Sequence, residues 1–277
     1  MVILHNSQFI QREEALTDIE DRGYTFGDGV YEVIRIYHGS FFMLDEHLKR
    51  LQYGLNEINI SYNIQKEQLK SLLLELKDRN QVKDGGIYLQ ISRGIAPRKH
   101  PYPPNAKPVL YAYPIPIQNP ASQQENGVKL MLVEDLRWLR CDIKSINLLY
   151  NVMAKQKALE AGAFEALLYR DENHITEGSS TNFFGIKDGS VVTHPADHFI
   201  LNGITRKAVQ QICHELEIPF VEKRISIDEL SQLDEAFLAS TTAEIVPVIQ
   251  INDEVIGEGT VGNLVKQIQL AFRKLMK

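Results

Sequence analysis

Lys144 and Glu177, 33 residues apart, are the two side chains whose types and settings suit chemistry on an amino group. Lys144 lies in Cys141-Asp142-Ile143-Lys144-Ser145-Ile146-Asn147, at the head of an apolar-periodic stretch. Glu177 lies in Thr176-Glu177-Gly178-Ser179-Ser180-Thr181-Asn182 and leads into a turn of small residues that a flat ligand could approach closely. Pyridoxal phosphate (PLP) chemistry needs an amine to form a Schiff base and an acid to partner the pyridinium nitrogen. The spacing predicts a helix from about Ser145 to Ala161, stopped by Gly162. Lys144 would then sit where the positive end of the macrodipole disfavours a further positive charge.

A phosphate needs backbone N–H groups and a positive field. Gly203-Ile204-Thr205-Arg206 opens a helix expected through Leu216, and Ser240-Thr241-Thr242 ends a strand-like run. Arg50 lies off the apolar stripe of its helix and could reach a phosphate. Each also suits an ordinary duty: a Thr helix cap, a polar loop, a solvated helix face. The segment from Arg93 to Pro104 is a basic, proline-stiffened loop, and arginine's fork matches a carboxylate. His194 and His198 are four apart, but Pro195 between them speaks against a helical metal site, so no metal is expected.

The elements that must position these residues read as two groups. Val30 to Tyr37 is strand-like; Leu44, Leu48, Leu51, Leu55 and Ile58 recur at helical spacing; Leu69 to Leu76 marks a second helix. Asp84-Gly85-Gly86 turns into a strand at Ile87 to Ser92, and another runs near Val109 to Tyr113. The pattern dissolves between Pro114 and Gly127. The expected division is therefore 1–117 for a small first domain, 118–127 for a linker and 128–277 for a larger second domain. There, strands at Val128 to Val133, Ala166 to Tyr169, Asn182 to Ile186 and Val191 to Thr193 accompany helices at about Thr205 to Leu216 and Val261 to Leu275. A turn is expected at Asp171-Glu172-Asn173 and a hairpin turn at Asp188-Gly189. The fold class is α+β.

Bulk properties exclude several roles. The 277 residues carry a net charge of −6, which favours neither nucleic acid nor an anionic membrane. No apolar run is long enough to span a bilayer, and no signal peptide is read. Two cysteines without CxxC spacing suit a reducing cytoplasm.

With these residues assembled, the chain resembles the fold-type IV PLP enzymes, and among them the D-amino acid aminotransferases, from about Asp21 to Phe272. Four segments carry the resemblance in order: Asp21 to Glu32, Arg137 to Ser145, Thr176 to Ser180, and Asn202 to Arg206. It implies a homodimer whose protomers have a small N-terminal α/β domain and a larger C-terminal pseudo-barrel domain, with PLP in the cleft between them. It makes Lys144 the Schiff-base lysine and general acid/base, and pairs Glu177 with the pyridine nitrogen. Arg50, Ile204, Thr205 and Thr241 would seat the phosphate, and Leu201 would pack near the ring. Tyr31, Arg98 and His100 would surround the substrate α-carboxylate, with His100 reaching in from the second subunit. The implied reaction moves an amino group from a D-amino acid such as D-alanine to a 2-oxo acid such as 2-oxoglutarate, giving pyruvate and D-glutamate. Branched-chain L-aminotransferase and aminodeoxychorismate lyase activities are the alternatives on the same fold.

Overall fold

The computed structural model describes residues 1–171 and 173–276. Of the expected turn at Asp171-Glu172-Asn173, Glu172 lies outside the described residues. The fold class is α+β, and the chain forms two compact units.

The first unit comprises 1–118 and 143–148. Its strands are β1 (Val2–His5), β2 (Gln8–Gln11), β3 (Gly29–Tyr37), β4 (Ser40–Phe41), β5 (Gly85–Ser92) and β6 (Val109–Ile115). They form one antiparallel sheet in the order β2-β1-β6-β5-β3-β4. Three helices belong to this unit: α1 (Arg22–Phe26), α2 (Leu44–Glu57) and α3 (Lys66–Arg79). Alternation along β3 turns Val30, Ile34 and Ile36 toward Leu48, Leu51 and Leu55 of α2, and Leu69, Leu73 and Leu76 of α3 complete the core. Asp45 and Glu46 sit in the first turn of α2, where the dipole favours acids.

The second unit comprises 119–142 and 149–277. A curled, half-barrel sheet runs through β7 (Val128–Glu134), β8 (Glu165–Arg170), β9 (His174–Gly178), β10 (Asn182–Lys187), β11 (Ser190–Thr193), β12 (Phe220–Glu222), β13 (Ile225–Ser226), β14 (Glu235–Ser240), β15 (Glu244–Ile251) and β16 (Glu254–Val255). Its order is β12-β11-β10-β14-β15-β7-β8-β9-β13, with β16 beside β15. Helices α4 (Ala121–Asn126), α5 (Leu149–Glu160), α6 (Ile204–Glu215) and α7 (Asn263–Leu275) belong to it. Its cores gather Leu167, Phe183, Leu238 and Val246 in one cluster, and Val133, Ala154, Ala158 and Leu168 in another.

Three local expectations need correction. The stretch expected to be a linker contains α4, which follows Pro120 at its N-cap. Gln124 of α4 is buried and donates to Glu244 at 2.9 Å. The helix expected from Ser145 begins instead at Leu149. Residues 143–148 lie against the start of β3: Ser145 bridges Val30, Tyr31 N–H donates to Lys144 C=O at 3.0 Å, and Ile146 N–H donates to Gly29 C=O at 3.1 Å. Ile143 is buried in the first unit's core. Lys144 is therefore presented by sheet pairing in the first unit, and the macrodipole argument does not apply to it.

Candidate active site

Each unit holds a cluster of its own. In the first, the Lys144 ammonium lies 3.3 Å from the Tyr31 hydroxyl and 4.3 Å from the centre of its ring. Tyr31 stacks on Tyr88 with ring centres 5.7 Å apart, and Tyr88 packs on Tyr113 at a tilt, with ring centres 5.1 Å apart. Burial pushes the Tyr88 hydroxyl well above its ordinary range, so it stays protonated and donates to Gln90 at 2.8 Å.

The residue after Tyr31 points the other way, as strand geometry requires. Glu32 is fully buried in the sheet–helix core. It accepts from Arg50 Nε and Nη2, both at 2.7 Å, and from His47 Nδ1 at 2.7 Å. Burial would push Glu32 up, but the Arg50 and His47 partners hold it at about 2. Arg50 is thus not a loosely solvated helix residue; its guanidinium is fixed at the core's edge.

Arg98 and His100 are exposed. Both pack on Phe26, with the Arg98 guanidinium 5.0 Å from the ring centre and His100 edge-on at 5.8 Å. Arg22 anchors their loop by donating to the Lys99 carbonyl at 2.6 Å and the His100 carbonyl at 3.3 Å. Gly94 permits the loop's start: its φ is +101°, and a Cβ there would overlap the Lys107 carbonyl. Among the described residues, no hydrogen bond, ion pair or ring contact joins Arg98 or His100 to Tyr31 or Lys144.

In the second unit Glu177 is buried on β9. Its Oε1 accepts from Arg137 Nη1 at 2.7 Å, and its Oε2 from Asn182 Nδ2 at 3.0 Å and Leu201 N–H at 3.1 Å. Burial pushes its pKa up to about 6, with Arg137 opposing. Arg137 also grips Asp135 through Nε at 2.9 Å and Nη2 at 2.8 Å, and Arg170 meets Asp135 at 2.8 Å. Burial notwithstanding, Arg137 and Arg170 hold Asp135 at about 2.

The remaining expected residues converge on Asn182. Its amide donates to the Leu201 carbonyl at 2.9 Å as well as to Glu177. Gly203, two residues on, opens α6 with no side chain capping it, leaving the first-turn N–H groups of Ile204 and Thr205 for an anion. Asn182 pairs with Ala239 across β10 and β14, and Thr241 follows immediately past the end of β14. Taken unit by unit, the amine of the first suits the aldehyde of PLP, and the buried carboxylate fixed by three donors and the uncapped helix N-terminus of the second suit its ring nitrogen and phosphate.

Sequence reasoning missed Arg137 and Asp135 as supports of Glu177, and Glu32 and His47 as supports of Arg50. A charge between Val30 and Ile34 on the core face of β3 is the signal that flags Glu32. Arg137 carries no such local mark.

The family profile described as Amino-transferase class IV matches residues 29–251. A D-alanine aminotransferase of Bacillus licheniformis is 52% identical over 99% of this chain and 96% of its own length. The branched-chain amino acid aminotransferase of Escherichia coli superposes with a TM-score of 0.91 at 25% identity, over 100% of this chain and 94% of that one. The branched-chain aminotransferase of the thermophilic archaeon Thermoproteus uzoniensis, solved with norvaline, superposes with a TM-score of 0.89 at 27% identity, over 100% of this chain and 95% of that one. The profile match over most of the chain and the half-identical full-length relative lead to one conclusion: this chain belongs to the class IV aminotransferases.

Proposed function

We propose that this protein is a D-amino acid aminotransferase, moving the amino group of D-alanine to 2-oxoglutarate to give pyruvate and D-glutamate, with PLP as cofactor. The observation that carries the chemistry is the Lys144 amine, held against the Tyr31 hydroxyl and paired with no carboxylate among the described residues of its unit. The D-alanine aminotransferase relative supports the substrate class.

Lys144 would hold the cofactor through its amine, and Glu177 would hold its ring nitrogen. Arg50, Ile204, Thr205 and Thr241 would hold its phosphate, with Leu201 against the ring. Bound PLP supplies an electron sink for the pair released when the substrate's α-proton leaves. The Lys144 amine would take that proton as a general base and give it back as a general acid. The Tyr31 hydroxyl orients the amine for both transfers. Glu177 carries the negative charge that keeps a ring nitrogen protonated, and Arg137 favours the ionised form of Glu177. Tyr31, Arg98 and His100 would hold the substrate α-carboxylate.

The finer assembly is a homodimer with His100 serving the second subunit's site. Leu136, Trp138, Leu139, Leu149, Val152 and Met153 of the second unit are each exposed, and such side chains suit burial against a second copy. A cytoplasmic location is supported by two free, buried cysteines.

The deciding experiment is the near-visible absorbance of the purified protein before and after D-alanine, with L-leucine as control. Conversion by D-alanine alone supports the proposal. Conversion by L-leucine alone replaces it with the branched-chain reading. No cofactor band even after adding PLP rejects both. Lys144→Ala should nearly abolish turnover, and full activity in that variant would sink the assignment of the lysine.

A further inference from the structure

The buried Glu32–His47–Arg50 cluster is costly where it stands. Val30, Ile34, Ile36, Leu48, Leu51 and Leu55 around it are apolar and almost fully buried. A buried ionic group is often matched or bettered in stability by apolar residues of similar volume. Stability alone therefore does not account for it.

His47 is 1% exposed and lies three residues before Arg50 on the same face of α2. Burial pushes its pKa down more strongly than Glu32 draws it up, so the ring is neutral. A carboxylate only accepts, so the ring's hydrogen sits on Nδ1, facing Glu32. Glu32 Oε2 then takes one hydrogen from His47 and one from Arg50, while Oε1 takes the second from Arg50. The carboxylate cannot rotate without losing His47, and the guanidinium cannot leave its fork without stranding the carboxylate. An unrestrained arginine side chain carries about 2 kcal/mol of rotamer entropy, and ordering it beforehand lowers the cost of binding an anion.

We propose that His47 is a positioning residue of the phosphate seat, acting through Glu32 to set the Arg50 guanidinium before the cofactor arrives. This rests on the reading that Arg50 meets the cofactor's phosphate. The same strand carries Tyr31 to the Lys144 amine and Glu32 to Arg50, so one peptide bond separates the two halves of cofactor anchoring.

The test compares PLP with pyridoxal, which lacks the phosphate, by titrating the full-length cofactor-free protein. His47→Leu removes the donor and keeps the bulk; His47→Asn keeps an N–H near the Nδ1 position; Arg50→Leu is the reference. His47→Leu should weaken PLP about tenfold, the scale of one lost charge-assisted hydrogen bond, and change pyridoxal less than about twofold. His47→Asn should recover most of that loss. Equal weakening of both ligands, or none, would overturn the proposal. If Arg50→Leu discriminates between the ligands and His47→Leu does not, the phosphate seat stands and His47 has no part in it. If neither discriminates, the phosphate reading of Arg50 itself fails. If His47→Leu lacks a cooperative melt, Glu32→Gln decides with the same expectations.

Discussion

Arg137 Nη1 stands 2.7 Å from Glu177 Oε1 while the same guanidinium grips Asp135, which in turn meets Arg170. Charges alternate along this buried row, so each is paired. Arg137→Met would leave Glu177 buried without its cation, and burial would then protonate it at neutral pH. Turnover with D-alanine should fall at least about tenfold, because a neutral acid holds a protonated ring nitrogen poorly. Removing one partner of a buried pair should also cost about 3–5 kcal/mol of stability. Steady-state kinetics and a thermal melt check both. Unchanged turnover would mean that Arg137 does not govern the charge on Glu177.

Glu177 and Asp135 give opposite pH dependences in the cofactor-free protein. Burial raises Glu177 from 4.5 to about 6, so between those values the folded chain keeps a proton that the unfolded chain has released. Its contribution is present below 4.5 and lost as pH rises through about 6, amounting to about 2 kcal/mol. Despite burial, the arginines hold Asp135 down from 3.8 to about 2, so its contribution is present above 3.8 and lost as pH falls toward 2. Glu177→Gln should flatten stability against pH between 4.5 and 6. Asp135→Asn should flatten it only below about 4. Urea melts across pH read both, and a Glu177→Gln variant with the parent's slope in its window would contradict the charge state.

Much of the scaffold was legible because it is local. The alternation of β3, the leucine spacing of α2 and α3 and the apolar faces of α6 and α7 each repeat within one element. The setting of Lys144 is not local. Ser145 pairs with Val30 across 115 residues, and no short-range period encodes that bridge. Helix α4 is hidden because Pro120, Ser122 and Asn126 read as loop residues, while tertiary contacts of Gln124 and Gln269 hold it. Lys144 and Glu177 stand out by residue type and neighbours. Arg137, Asp135 and His47 do not, because they act through another side chain and their partners are fixed only by the fold.

Gly203 offers a steric test of the Asn182 hub. Its φ is −64°, so backbone strain is not at issue. A Cβ there would overlap Asn182 Oδ1. Gly203→Ala should displace Asn182 from Glu177 and from the Leu201 carbonyl, weakening PLP binding at least about tenfold with a smaller loss of stability. Equilibrium titration with PLP measures it. Binding equal to the parent's would show that the Asn182 position does not matter to the cofactor.

The loop bearing Arg98 and His100 makes the last prediction separable into contact and support. Arg98 is exposed and free to meet a carboxylate, so Arg98→Ala should raise the KM for D-alanine about tenfold or more with a smaller change in kcat. Arg22 is 3% exposed and its guanidinium holds the loop from below, with Nε on Asp28 at 2.8 Å and the other nitrogens on the Lys99 and His100 carbonyls. Asp28 is shared with Arg93 at 2.7 Å, so the loop's base does not depend on Arg22 alone. Arg22→Leu should therefore raise KM in the same direction but less than Arg98→Ala. The double variant should lose less than the sum of the two single losses, since the part of the support that serves Arg98 is useless once that contact is gone. Additive losses would assign Arg22 a role of its own, and an unchanged KM in Arg98→Ala would remove this loop from carboxylate binding.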